Sequence, residues 1–420
     1  MNQYIELYQQ LKEHFAAHCH PVLNAQREEA IGIFAQQGFP TKAVERYRYT
    51  DVEASFAPDY GISLAPLTIK DVPYVYTIKD APIDVAPYYN KIATSHKEVI
   101  SQQPSTDAVS MLNTALATDL VVIYVPKGER AKTPIRIENT VNADTPMMMV
   151  RRVLIIMEEM AEATVFFVDH GKGEVLMSQV IEVVTKDGAH LDMYDLEETS
   201  AQNHRYNNTY ISVGRDAEVR HNSVVLTNGV SRNGIDVYMQ GIGSTATLNG
   251  AVIADGKQHV DVNTLIDHQV AQCTSNELYK YVADDQAVGA FAGRILVREG
   301  AQQTYSQETN NNMCASDEAR IYTQPMLEIY ADDVKCAHGS TVGVMDEKAL
   351  FYMQQRGIPL EDARTLIKNA FISEVIDEMK WESFRDRLHI LVDKRLSKEE
   401  RCGTCNICGP TPTLPMERRE

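Results

Sequence analysis

The chain has 420 residues, 44% of them hydrophobic, enough for a large core and more than one compact core usually covers. With 40 basic against 58 acidic residues its formal charge is -18, which argues against nucleic acid or an anionic membrane as partner and suits a basic protein. Seven cysteines, an odd number at irregular spacing, argue against a disulfide framework and for a reducing cytoplasm. The opening Met1-Asn2-Gln3-Tyr4-Ile5-Glu6 has neither a basic nor an apolar leader segment, and no run approaches the roughly 18 apolar residues of a membrane span. The expected location is therefore the cytoplasm.

The first zone, 1–118, opens with Tyr4, Leu7, Tyr8, Leu11 and Phe15, the stripe of an amphipathic helix. A second helix carries Ala30, Ile31, Phe34 and Ala35 and should stop at Gly38-Phe39-Pro40. The stretch 71–103, with Pro73, Pro82 and Pro87, reads as irregular connection. The second zone, 119–345, is β. Val121–Val125, Val153–Met157 and Val180–Val184 are short runs rich in β-branched residues, and turn signals such as Lys127-Gly128 and Asp187-Gly188 lie between them. Helices long enough for βαβ crossovers are missing, which leaves a sandwich, a barrel or a β-helix. Many strands follow a small corner: Asp216-Ala217, Thr245-Ala246, Gln286-Ala287, Gly300-Ala301, Glu318-Ala319. Small residues at bends let stacked coils approach closely, which favours a β-helix, although the spacings are uneven. No ladder of inward acids is evident.

The third zone, 346–400, is helical. Asp346 can cap a helix that ends near Gly357, and Pro359 starts another. In the latter Ala363, Leu366, Ile367, Ala370, Phe371 and Glu374 are expected on one face. A third helix carries Trp381, Phe384, Leu388, Leu391 and Val392. The last segment, 401–420, holds Cys402, Cys405 and Cys408 among prolines and charges. Its Cys-x-x-Cys-x-x-Cys spacing resembles half a ferredoxin loop, so it is either a metal-binding element short of a fourth ligand or a flexible tail.

Within Asp332-Asp333-Val334-Lys335-Cys336-Ala337-His338-Gly339, strand alternation places Cys336 and His338 on one face. Thiolate and imidazole suit iron, zinc or a cluster edge. Two ligands cannot close a tetrahedral site, and such a pair is more often a core cysteine beside a satisfied histidine.

The run Leu327–Gly343, continuing through Leu350–Ile358 to Glu374-Val375, resembles the signature of the SufB/SufD family of the SUF iron–sulfur cluster assembly machine. Phe291–Val297, Ala301-Gln302, and Gly38–Lys42 with Glu45–Thr50 match as well. Length and the early Pro40-Thr41-Lys42 element favour the SufD branch over the longer SufB. The resemblance implies a right-handed parallel β-helix between N- and C-terminal helical regions and a non-catalytic scaffold role. It implies pairing with SufB through the last β-helix strands, with a homodimer when isolated, and docking of the ATPase SufC by the C-terminal helices, through Leu366, Ile367 and Phe371. It also implies a transient iron–sulfur cluster shared at the SufB seam, to which His338 and its neighbour Cys336 would contribute. The chain has no Gly-x-x-x-x-Gly-Lys-Ser/Thr loop for nucleotide, so ATP hydrolysis falls to the partner. The competing readings are SufB itself and a β-helix enzyme acting on polysaccharide.

Overall fold

The computed structural model describes residues 2–64, 72–94 and 106–397. Its centre is a parallel β-solenoid in which each coil contributes one strand to each of two facing sheets. The first sheet stacks Val121–Val125, Met147–Met157, Val175–Thr185, His204–Val213, Val230–Met239, His259–His268, Val288–Val297 and Arg320–Ile329. The second stacks Ile135–Asn142, Glu162–Lys172, His190–Glu198, Glu218–Thr227, Thr245–Ala254, Thr274–Ala283, Thr304–Cys314 and Val334–Val344. Alternate residues of both sheets fill the lumen, among them Val153, Ile155, Ile181, Val183, Val219, Leu248 and Val262.

Small corners hold the stack together, as the sequence predicts. Met160, Gly188 and Asp216 adopt left-handed backbone, with φ of 58, 67 and 54°, and each is followed by a buried alanine: Ala161, Ala189, Ala217. A left-handed residue turns the chain sharply, and alanine fills the bend without pushing the coils apart. The strand Val75–Thr77 pairs antiparallel with Val121–Val125 at the N-terminal end of the first sheet. It lies in the stretch read from sequence as irregular.

Parts of the outward rows of both sheets are apolar and need cover, among them Met148, Leu176 and Tyr206 of the first and Phe166, Val224 and Ile253 of the second. Helices α1 (Asn2–His18), α2 (Pro21–Gln37), α3 (Val52–Phe56) and α4 (Ala108–Leu116) pack Tyr4, Phe34, Phe56 and Leu112 against Met148, Leu176 and Tyr206 of the first sheet. Gly38 ends α2 at a φ of 69°, its N–H donating to Phe34 O at 2.8 Å. Helix α4 was not expected from the sequence; it is short and buried throughout, and its polar face is satisfied inside the protein, with Ser110 beside the Tyr210 hydroxyl, Asn113 donating to Ser178 O and Thr114 accepting from Arg152. Buried Arg27 donates to Ala115 O and Ala117 O at 2.7 and 2.6 Å, giving partners to carbonyls at its C-terminal end.

Helices α5 (Glu347–Gln355), α6 (Leu360–Asp377) and α7 (Glu382–Ser397) cover the second sheet. Asp346 caps α5 and Pro359 precedes α6, as predicted. The face of α6 differs from expectation: Ala363, Ile372, Val375 and Ile376 are buried, whereas Leu366 and Ala370 face outward. Leu366, Ile367, Phe371 and Ile372 spread apolar surface round most of the helix, so periodicity did not select which half meets the sheet.

The lumen is not wholly apolar, and inward acids are present: Asp169, Asp195, Glu197, Glu277 and Glu308. Arg205, itself 1% exposed, donates from Nε to Asp169 at 2.9 Å, from Nη2 to both oxygens of Asp195 at 2.8 Å, and from Nη1 to Asn233 at 2.6 Å. Burial alone would raise the Asp169 carboxyl, yet Arg205 and Arg151 hold it below its ordinary value. Among the described residues Glu197 has only the Arg205 guanidinium at 3.7 Å and the Ser231 hydroxyl as partners, and burial pushes it up to about 8. An unfolded glutamate ionises near 4.5, so folding keeps a proton on Glu197 that the unfolded chain releases. Its contribution therefore falls as pH rises from about 4.5 to about 8. Glu197→Gln is expected to gain about 2–4 kcal/mol relative to wild type between pH 5 and pH 8, read from urea midpoints at both values. An equal difference at both would show that the carboxyl is ionised in the fold.

Candidate functional site

The C-terminal end of the solenoid is open. Arg320–Ile329 pairs only with Val288–Val297, and Val334–Val344 only with Thr304–Cys314, so each carries an unpartnered edge among the described residues. Aromatic and β-branched side chains collect there: Tyr305, Tyr322, Ile329, Tyr330, Val342 and Val344, the last 79% exposed. An exposed strand edge beside an apolar rim is a template for another chain.

Cys336 and His338 stand on that last strand. Cys336 pairs in register with Ser306 and His338 with Glu308, both buried residues of the coil beneath. Both therefore project on the lumen side, as alternation predicts, with Ala337 between them on the other. They are not sealed in, because among the described residues no coil lies above. His338 is exposed, and Cys336 is half-buried against the cluster of Ile295, Val297, Ala301 and Ala331. Partial burial pushes the Cys336 thiol up, and the Ser306 N–H draws it back. Among the described residues no three side chains from His, Cys, Asp and Glu converge as a complete metal site. The open end thus offers one thiol and one imidazole side by side.

Two lumen columns end beneath them. In one, His268 Nε2 lies 3.0 Å from Ser275 Oγ, which lies 2.6 Å from Ser306 Oγ, with Cys336 next in register. In the other, Glu277, Glu308 and His338 occupy successive coils. Neither column was read from the sequence. Recurrence of polar residues about one coil apart is the signal that would have found them.

The segment Glu45–Thr50 lies along the outer face of the first sheet. Arg46 grips both oxygens of Asp236 at 3.2 and 3.0 Å, Thr50 donates to Asp261, and the Tyr49 ring stacks on Tyr322 at 4.9 Å. Gln324 of the last first-sheet strand donates to Glu45 at 3.1 Å, so this segment braces the coil that ends in the open edge.

On the C-terminal helices Leu366 is 49% exposed, while Ile367 and Phe371 are partly covered by the core beneath. Lys280 Nζ sits 4.4 Å from the centre of the Phe371 ring and pairs with Glu374. The two helices also expose Leu360 and Ile390. Cys402, Cys405 and Cys408 lie outside the described residues. No helix among the described residues is long and apolar enough to cross a membrane.

Comparison with known proteins places this geometry. The model for the SUF system FeS cluster assembly SufBD core domain matches residues 139–371, and that for the SufBD protein N-terminal region matches 1–77 and 76–137. An iron-sulfur cluster assembly SufBD family protein of Synechocystis is 29% identical over 382 residues, covering 87% of this chain and 81% of the relative. The iron-sulfur cluster assembly protein SufD of Escherichia coli is 26% identical over 393 residues, covering 88% and 92%. SufD of Bacillus subtilis is 25% identical over 321 residues, covering 72% of each chain.

Proposed function

This chain belongs to the SufBD family of SUF-system iron–sulfur cluster assembly proteins, and from that premise we propose that it is a non-catalytic scaffold whose open coil end pairs with SufB. The observation that carries the reading is the unpartnered edge of Val334–Val344, with Cys336 and His338 on its lumen side. Backbone N–H and C=O groups on that edge can be satisfied by a homologous strand, and the apolar rim then becomes buried. A nascent cluster held at the seam would draw an imidazole from His338, with Cys336 as secondary ligand or packing thiol, and its remaining ligands from the other chain or from sulfide.

The outward apolar residues of α6 and α7 are where SufC would dock, with Leu366 at the surface and Ile367 and Phe371 supporting it. Such work belongs in the cytoplasm, where thiols stay reduced.

The test is co-expression with SufB and SufC followed by anaerobic absorption and electron paramagnetic resonance spectroscopy. His338→Ala is expected to leave the complex assembled, since the side chain is exposed, and to lower cluster yield by at least about tenfold. Wild-type yield in the variant would overturn the role given to His338.

A further inference from the structure

The deeper lumen carboxylates and those near the open end differ in one respect. Asp169 and Asp195 are neutralised internally by Arg205. Glu277 and Glu308 are as thoroughly buried, 0% and 1% exposed, yet no basic side chain pairs with either among the described residues. The Thr264 hydroxyl lies beside Glu277, and among the described residues no oxygen of Glu277 or Glu308 has a hydrogen-bond partner. The hydroxyl of Tyr279, a fully buried ring two residues from Glu277, is also unpartnered, and it feels the charge of both carboxyls. Opposite Glu308 the lumen position is Gly293, where any side chain would collide with the carboxylate. A glycine there leaves the space to the acid.

Buried polar oxygens without partners are costly, and buried charges are paired or coordinate metal. Two carboxylates and a dication sum to zero charge, which removes the penalty that Arg205 removes deeper in the coil. Carboxylate and hydroxyl oxygens suit the harder first-row ions. We propose that Glu277 and Glu308, with the hydroxyls of Thr264 and Tyr279 close by, form a lumen site for one divalent cation of the oxygen-preferring class, Mn²⁺ or Fe²⁺. Water completes its shell, and the cation enters from the open end past His338. Burial pushes Glu277 up to about 8, and burial together with the neighbouring Glu277 pushes Glu308 up to about 9, the frustration a cation relieves. This site goes beyond the seam reading and does not need it, because neither glutamate lies on the exposed edge.

Mn²⁺ titration of the full chain alone tests it, with unbound Mn²⁺ read by electron paramagnetic resonance. One Mn²⁺ per chain is expected, weakened at least about a hundredfold by Glu277→Gln with Glu308→Gln. His338→Ala is expected to bind Mn²⁺ as wild type does, whatever its effect on cluster yield, so the two proposals fail separately. Absence of Mn²⁺ binding by wild type, or unchanged binding in the double variant, overturns the site. Infrared spectra of wild type guard against a misfolded variant. Ionised carboxylate bands that shift on adding Mn²⁺ support the site, whereas a protonated-carboxyl C=O band that Mn²⁺ leaves unchanged makes the pair a neutral, proton-holding dyad and overturns it.

Discussion

Arg205→Leu should destabilise the fold by about 3–5 kcal/mol, because it strands the Asp195 carboxylate inside the lumen and takes one partner from Asp169. The guanidinium spends all three nitrogens on Asp169, Asp195 and Asn233, and nothing else of positive charge reaches Asp195 within ion-pair distance among the described residues. Asp169 would keep Arg151 at 3.5 Å and Asn139. Lysine should not substitute, since a single ammonium cannot reproduce a fork that meets three acceptors. Combining Arg205→Leu with Asp195→Leu should recover part of the loss, because the second change removes the orphaned charge. Urea unfolding of the four proteins reads the cycle. A loss under about 1 kcal/mol in the single variant would mean that the network is solvated rather than sealed.

The second large effect is expected in association. Val342→Lys with Val344→Lys places two charges on the exposed end strand, the device natural sheets use to keep edges unpaired. Both side chains are exposed, so the stability of the isolated chain should move by no more than about 0.5 kcal/mol each. Affinity for SufB should fall at least about a hundredfold, about 3 kcal/mol, because pairing would bury the ammonium groups without counter-charges. Measured by isothermal titration, unchanged affinity in folded variant protein would move the interface away from this edge. Parallel measurement with His338→Ala separates docking from cluster handling, since that change removes a ligand and leaves the strand backbone free to pair.

Local devices favoured the β-helix over a sandwich or a barrel, and the family resemblance singled it out. Strand alternation, left-handed turn residues and corner alanines such as Ala217 and Ala287 each leave a mark within a few residues. The helix starts at Asp346 and Pro359 and the stop at Gly38 were legible for the same reason: a cap acts on the adjacent turn. The shared face of Cys336 and His338 followed from period-two geometry alone.

The lumen columns were not legible, because coil length varies. It is 27 residues between Asn222 and Asn249 but 31 between Glu277 and Glu308 and 30 between Glu308 and His338, so the near-regular spacing of the last coils is not repeated along the chain and shows only once the register is known. The buried half of α6 was hidden by a helix apolar on most sides.

The amino-acid order alone therefore determined a β core between helical ends, the helix boundaries near their caps, and the two candidate ligands on one strand face, since each depends on neighbours along the chain; the family resemblance narrowed the core to a β-helix. The tertiary structure decided which carboxylates share a lumen, which of them meet an arginine, and that among the described residues the strand bearing His338 has no coil above it. Those facts depend on contacts between residues a coil or more apart, and the free energy of a buried charge is set by such contacts rather than by the residue's own type.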